Sequence, residues 1–263
     1  MPHIDGPVAF RGGGFSPREH PLAGPATLIA LVALWQLGDS LGVIHSMFLP
    51  APITIAAALY HLTISGELWR HLSASLARLA IGWTLGTLSG IAVGLAVGLW
   101  SLARSPGMAV VSALFPIPKI ALVPLFIIWF GIGEGSKIVT LAFGVFFPTV
   151  IATVGGVDNV PRGLIRMGQS FGLPHAAIVR KIVLPGALPA LLSGFRVTAS
   201  IAIILLVAAE MIGADRGIGA FVLAAGNLYD TGNLLAGIVV LSAMGLVVAW
   251  LIGRLERWLL VWR

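Results

Sequence analysis

An all-α, polytopic membrane bundle of about six transmembrane helices is the fold class this sequence predicts, on three observations. Hydrophobic residues fill 58% of the 263 positions and charged residues only 10%, against about 25% charged in an ordinary soluble domain. So few charges cannot cover a globule of this size, and most of its surface must face lipid. The apolar residues gather in runs of about 20, the length that crosses a hydrocarbon core. The net charge of +6 is then the excess of Lys and Arg expected in cytoplasmic loops, not a footprint for nucleic acid. Six such helices with their loops use up the chain, so no soluble catalytic domain fits beside them.

The elements follow in order. Residues 1–24 are rich in Gly and Pro and carry Asp5, Arg11, Arg18 and Glu19, a disordered cytoplasmic tail rather than a signal peptide. Residues 25–263 form the transmembrane domain. The first run, 25–44, is interrupted by Gln36 and Asp39 and broken by Leu49-Pro50-Ala51-Pro52. A milder stretch, 53–65, lies at the interface. Further spans are expected at 72–99, 106–130, 138–157, 188–212 and 233–251. The segment 158–185 holds Arg162, Arg166, Arg180 and Lys181 and is not a span.

Arg11, Arg18, Arg104, Arg162, Arg166, Arg180, Lys181, Arg254, Arg257 and Arg263 fall on one side of this layout, and Arg70, Lys137 and Arg216 on the other. Ten against three puts both termini and the 158–185 loop in the cytoplasm.

Gly82, Gly86, Gly90, Gly94 and Gly98 recur every four residues along the second span. Lipid gives little hydrophobic drive for helices to associate, so small residues in register mark close contact. Gly237, Gly245, Ala249 and Gly253 repeat the theme in the last span. Pro106, Pro116, Pro118 and Pro124 break the third span, as in transporters built on discontinuous helices or as a structural kink.

Catalytic chemistry is missing. There is no cysteine, no H-E-x-x-H zinc site, no G-x-S-x-G elbow and no Gly-Lys dipeptide, so no phosphate loop. No catalytic or metal-ligating residue set emerges. Gly217-Ile218-Gly219 follows no strand and reads as a turn.

The segment 158–185 is the informative one. Asp158 or Asn159 can cap a helix, with Pro161 in its first turn, and Gly172 before Pro174 ends it. A second short helix runs from Pro174 to about Val183, where Leu184-Pro185 stops it. Leu164, Gly168 and Phe171 share one face of the first. The pair makes a basic, glycine-hinged protrusion, and a connection of this length usually serves a function.

Gly172, nine intervening residues and Ile182-Val183-Leu184-Pro185 resemble the E-A-A-x-x-x-G-x9-I-x-L-P loop of permease subunits of bacterial binding-protein-dependent ABC importers. Arg166-Met167-Gly168 stands where that family has Glu-Ala-Ala. The sequence looks closest to the sulfonate, taurine and nitrate branch. The residues are Leu49-Pro50-Ala51-Pro52, Ser75-Leu76-Ala77-Arg78, Pro116-Ile117-Pro118-Lys119, Phe130-Gly131-Ile132-Gly133, Ala209-Glu210-Met211, and Leu255-Glu256-Arg257 with Trp262.

The resemblance implies a type I importer permease in the bacterial inner membrane, working as a homodimer. Two copies of a separate ATPase subunit, carrying ATP and Mg, dock below. A periplasmic or lipid-anchored substrate-binding protein docks outside. The chain itself is then neither an enzyme nor a cofactor carrier. The docking loop would comprise Arg166, Met167, Gly168, Phe171, Gly172, Leu173, Ile182, Leu184 and Pro185. The competing reading, a secondary transporter or channel, leaves that loop unexplained.

Ionisable groups inside a membrane are functional candidates by default, since each costs at least about 2.5–3.5 kcal/mol to bury there. Arg78, Lys119, Arg196 and Glu210 are the candidates here. Each either lines the pathway or pairs, Arg78 with a carboxylate such as Glu210.

Overall fold

The structure is a computed structural model that describes residues 22–261. The expected tail lies outside the described residues up to position 21, as does Trp262. Two compact units, Met1–Ala57 and Ala58–Arg263, divide the chain.

In the first unit, helix α1 spans Ala23–Ser40 and so begins two residues before the expected run. The N–H of Ile53, in the first turn of α2 (Pro52–Ile64), donates to Gln36 Oε1 at 3.3 Å. Gln36, an interruption in the apolar run, thereby serves as an acceptor for an otherwise orphan helix-start donor.

The second unit is helical throughout its described residues. Its elements are α3 (Glu67–Leu99), α4 (Ser101–Leu114), a 3₁₀ turn (Lys119–Leu122), α5 (Val123–Phe130), α6 (Glu134–Asp158), α7 (Arg162–Ser170), α8 (His175–Ile178), a π turn (Val179–Val183), α9 (Leu184–Gly213), α10 (Ile218–Asn227) and α11 (Thr231–Leu259). Among the described residues, four helices are long and apolar enough to cross a membrane: α3, α6, α8 through α9 as one stretch, and α11. The α4–α5 pair adds a fifth as a broken span bent by 84°. The bundle class stands. The count is four or five by length and composition, and α1, the first of the six expected spans, is not among them.

The glycine stripe explains the centre of this unit. A β-carbon on Gly82 would lie 2.6 Å from Leu141 Cβ, on Gly90 2.7 Å from Thr149 Cβ, and on Gly94 2.5 Å from Thr153 Cβ. Gly98 faces Val157 at 3.2 Å. The stripe is therefore a seam between α3 and α6 within one chain. Thr140, Thr149 and Thr153 are buried along α6, yet their hydroxyls donate to the carbonyls of Ser136, Val145 and Thr149 at 2.7–2.8 Å. Each polar group is thus satisfied inside its own helix and leaves a small face for glycine. Leu79, Leu141, Val145, Ala202, Leu206 and Met244 close the core beside the seam.

Helix α6 is the central strut: 50% of its most apolar window is buried, against 22% for α11. The second glycine row is looser. Gly237 sits tightly on Val222, but Gly245 has only Ile203 at 3.9 Å and Gly253 only Arg196 at 3.7 Å.

The broken span turns at Phe115 to Pro118. Pro106 is tolerated inside α4, while Pro118 and Pro124 flank the 3₁₀ turn, where their missing N–H groups interrupt no long helix.

Candidate functional site

Two regions at opposite ends of the spans carry the candidate residues. The first is built on α3. His71, Ser75 and Arg78 are spaced four and three apart, so they share one face of the helix. That face meets the turn between α9 and α10. Ser75 Oγ donates to Glu210 at 2.8 Å and accepts from the N–H of Ile218 at 2.9 Å. The N–H of Gly219 donates to Glu210 Oε2 at 2.9 Å. Arg78 Nη1 reaches Glu210 Oε1 at 2.7 Å and the carbonyl of Arg216 at 2.6 Å. The other edge of its guanidinium forks onto Glu134, both contacts at 2.6 Å.

Arg78 and Glu210 are buried, at 3% and 1% exposure, whereas the Glu134 side chain is 62% exposed. One arginine therefore joins a carboxylate sealed in the bundle to one open to its surroundings. A bidentate Arg–carboxylate pair fixes direction as well as distance. It ties α3 at once to the start of α6 and to the end of α9.

Gly217-Ile218-Gly219 is more than a turn. It starts α10 and delivers two amide donors, to Ser75 and to Glu210. Gly217 has φ +138°, and a β-carbon there would come within 2.6 Å of Glu210 Oε2. The same tripeptide recurs as Gly131-Ile132-Gly133, where Gly131 has φ +80° and Gly133 caps α6 just before Glu134. The fold brings both of these helix starts to one site, where Arg78 reaches Glu134 after the first and Glu210 beside the second.

A pocket of about 550 Å³ with mixed polar and apolar walls opens beside the cluster, lined by Arg78, Ile132, Gly133, Glu134, Lys137, Asp215 and Arg216 among others. Lys137, read from the sequence as a loop residue, lies instead in the first turn of α6 and is buried at 5% exposure.

Lys119 and Arg196 stand apart from this site. Lys119 Nζ donates to the carbonyl of Phe115, which the end of α4 leaves without a helical partner, and sits over the rings of Phe115 and Phe147 at 4.8 and 5.7 Å. Arg196 pairs with Glu256 and ties α9 to α11. Neither pairs with Arg78 or Glu210.

The second region is the 162–185 hairpin. Helix α7 ends in a turn in which the N–H of Gly172 donates to Gln169 O at 2.9 Å and that of Leu173 to Gly168 O at 3.1 Å. Gly172 has φ +70°, which closes this glycine-capped end. Gly168 is buried under Ile182, Ile178 and Leu173. The expected shared face therefore divides: Gly168 and Ile165 turn inward, while Leu164, Met167 and Phe171 are exposed at 45%, 50% and 78%. Arg166 and Pro185 are also exposed, and Leu173, Ile182 and Leu184 are half-buried.

Leu184-Pro185 does not stop the second helix. It runs on through the π turn into α9, a continuous 39-residue stretch from His175 to Gly213. Pro185 lies at the start of α9, where a π turn already rearranges the hydrogen-bond ladder, so its missing N–H breaks nothing. At the foot of the hairpin Arg104 forks onto Asp158 at 2.9 and 2.6 Å. Among the described residues, no group of three His, Asp or Glu side chains could hold a metal ion.

A helical membrane unit with a buried charge node at one end and a hinged helical hairpin at the other defines a polytopic membrane protein. Its residues 73–261 match the family described as the binding-protein-dependent transport system inner membrane component, and the chain belongs to that family. It is thus a permease subunit of an ABC importer.

Curated relatives include the taurine transport system permease protein TauC of Escherichia coli, 37% identical over 90% of this chain and 88% of that one. A putative aliphatic sulfonates transport permease protein of Bacillus subtilis is 35% identical over 89% of this chain and 84% of that one. The fold is similar to that of a chain of the MetNI methionine ABC transporter in an inward-facing conformation. The TM-score is 0.61, with 24% identity over 73% of this chain and 94% of that one.

Proposed function

We propose that this chain moves a small sulfonate, delivered by a substrate-binding protein, into the cytoplasm, and that ATP with Mg is bound and hydrolysed on a partner subunit docked at the 162–185 hairpin. Two copies form the pathway, each with one ATPase below it. Both termini and the hairpin face the cytoplasm of a bacterial cell.

The observation that carries this reading is the hairpin surface. Leu164, Met167 and Phe171 are apolar and exposed on a helix that ends at Gly172, among Arg162, Arg166, Arg180 and Lys181. A clustered apolar surface rimmed by charge marks a protein interface. The inner face of the hairpin is fixed by Val160, Ile178, Val183, Ile165, Leu173 and Ile182. Its second arm is continuous with α9, so a push on the hairpin passes into a spanning helix without a flexible joint. Docking energy applied differently in two ATPase states is what could shift the bundle between two conformations.

The sulfonate reading rests on what the relatives' names say of them, and on one pocket where the cations Arg78, Lys137 and Arg216 outnumber the carboxylates Glu134 and Asp215. Orientation rests on the distribution of Lys and Arg, ten on the hairpin side against Arg70 and Arg216 on the other, Lys137 being buried in α6. The test is ATP-dependent uptake by proteoliposomes holding the permease, its ATPase and its binding protein, across sulfonates, nitrate, bicarbonate and aromatic acids. Uptake of a sulfonate, saturating with the loaded binding protein, is expected. Uptake confined to another solute would overturn the substrate, and uptake independent of the ATPase would overturn the function.

A further inference from the structure

We infer that Lys137 is an anion contact on the pathway, the residue at which the carried sulfonate is held as it passes the pocket beside Arg78. The inference rests on the proposed function and names where in the chain that substrate binds.

The first argument is from cost. Lys137 is buried at 5% exposure in a membrane-spanning helix. Its Nζ donates to the carbonyl of Gly133 at 2.9 Å, the one hydrogen bond it makes among the described residues. An ammonium carries three donors. No carboxylate among the described residues comes within ion-pair distance of it. It also sits in the first turn of α6, where the helix dipole disfavours a positive charge. Burial, dipole and unused donors all oppose a cation here, and the fold returns one hydrogen bond and through-space attraction from Glu134, Asp215 and Glu210, set against repulsion from Arg78.

The second argument is from its neighbours. Both oxygens of Glu134 are engaged by the fork of Arg78, and those of Glu210 by Ser75, Arg78 and Gly219. Glu134 and Glu210 are thus engaged by Arg78, Ser75 and Gly219, and they and Asp215 act on Lys137 only from beyond ion-pair distance. Arg78 in turn has four of its five donors engaged and one N–H left. Asp215 and Arg216 line the pocket from exposed positions, where water screens them. Of the buried groups on this lining, Lys137 is the cation with the most donors to spare, two of three, and a sulfonate presents three acceptor oxygens to them. The pocket is wide enough for a small anion and is polar along this wall.

The chain has no cysteine, so on the purified permease, before its partners are added, a single introduced thiol can be addressed without background. Lys137→Cys, Lys137→Met and Lys137→Arg would be reconstituted with the partner ATPase and binding protein, and uptake of labelled taurine and of ethanesulfonate measured. Uptake of both probes by Lys137→Cys and Lys137→Met should fall at least ten-fold. Copurification of the ATPase should stay within about two-fold of wild type. Lys137→Arg should keep at least a third of the uptake. Treating Lys137→Cys with an aminoethyl thiosulfonate, which rebuilds a cation of nearly lysine's length, should restore uptake, and a neutral alkyl reagent of the same size should not.

Normal uptake by the Met or Cys variant would overturn the inference, as would equal rescue by the neutral reagent. Loss of ATPase copurification in both variants would make Lys137 a structural cation and overturn it too. If wild type takes up neither probe, the sulfonate function fails and this site fails with it. If wild type does and the variants do so equally, only the site fails.

Discussion

Arg78 and Glu210 lie 132 residues apart in sequence and 2.7 Å apart in the bundle, both buried. Each belongs to a different spanning helix, so the pair is a crosslink between α3 and α9. Removing Arg78 leaves Glu210 charged and sealed away from water, which costs about 3–5 kcal/mol, whereas removing Glu210 leaves Arg78 its fork onto Glu134. Arg78→Ala should cut the yield of folded protein sharply, and Glu210→Ala less so. Arg78→Met with Glu210→Met should be less damaging than the two single losses summed, because no orphan charge remains. Melting of the detergent-solubilised variants, arranged as a double-mutant cycle, measures the coupling. Additive losses would mean that the charges are solvated separately.

The α3–α6 seam gives a second expectation. A β-carbon on Gly90 would meet Thr149 Cβ at 2.7 Å and the carbonyl of Phe146 at 2.9 Å. A backbone atom cannot swing aside as the end of a side chain can. Gly90→Leu should therefore force the helices apart, costing at least the roughly 1–3 kcal/mol typical of overpacking. Gly98→Ala, which meets only Val157 at 3.2–3.3 Å, should be far milder. The recovery of monodisperse protein after extraction compares them. Equal recovery of Gly90→Leu and wild type would remove the seam from the account of stability.

Much of this was legible in the sequence. Five glycines at period four can only form one stripe on a helix, so the seam followed from spacing. A pairing of Arg78 with a carboxylate such as Glu210 is one of two expectations for Arg78, the other being a place on the pathway, because buried charges need partners. What escaped was the partner at Glu134. It follows Gly131-Ile132-Gly133, which reads as loop, and nothing local says that the turn folds back on α3. Lys137 was miscounted as loop for the same reason: α6 starts four residues before the expected boundary of its span. Likewise Leu184-Pro185 looks like a stop, and only the π turn preceding it lets the helix run through. The face of α7 divided as it did because Gly168, lacking a side chain, is the position that can slide under Ile182.

The division of labour between chains gives a third expectation. A phosphate loop needs a Gly-rich turn followed by Lys, and this chain has no Gly-Lys dipeptide anywhere. The purified chain, free of its ATPase, should show no ATP hydrolysis above an empty-detergent control. Adding the partner should bring activity that a mutation in the partner's own nucleotide site abolishes. Hydrolysis by the permease alone would contradict this reading.

The hairpin turn carries the last expectation. Gly172 has φ +70°, and a β-carbon there would meet nothing within 4 Å in the chain itself. The cost of Gly172→Val is therefore conformational, roughly 1–2 kcal/mol for a residue held in the left-handed region. That is too little to unfold a bundle held by the α3–α6 seam and the Arg78 node. It is enough to open the turn and shift Phe171, which is 78% exposed beside it. Asparagine enters the same region more readily, so Gly172→Asn should come close to wild type if backbone geometry is what matters. If a partner surface also closes over the turn, both variants should fail. The measurement is recovery of the ATPase on the immobilised permease, alongside uptake in proteoliposomes. Gly172→Val should reach the membrane in normal amount yet lose ATPase recovery or ATP-driven uptake. Arg166→Glu restores the acidic residue of the resembling loop pattern. It should weaken capture of an ATPase adapted to a basic contact, in a salt-dependent way. A Gly172→Val protein that captures its ATPase and transports at the wild-type rate would reduce the hairpin to a passive connector.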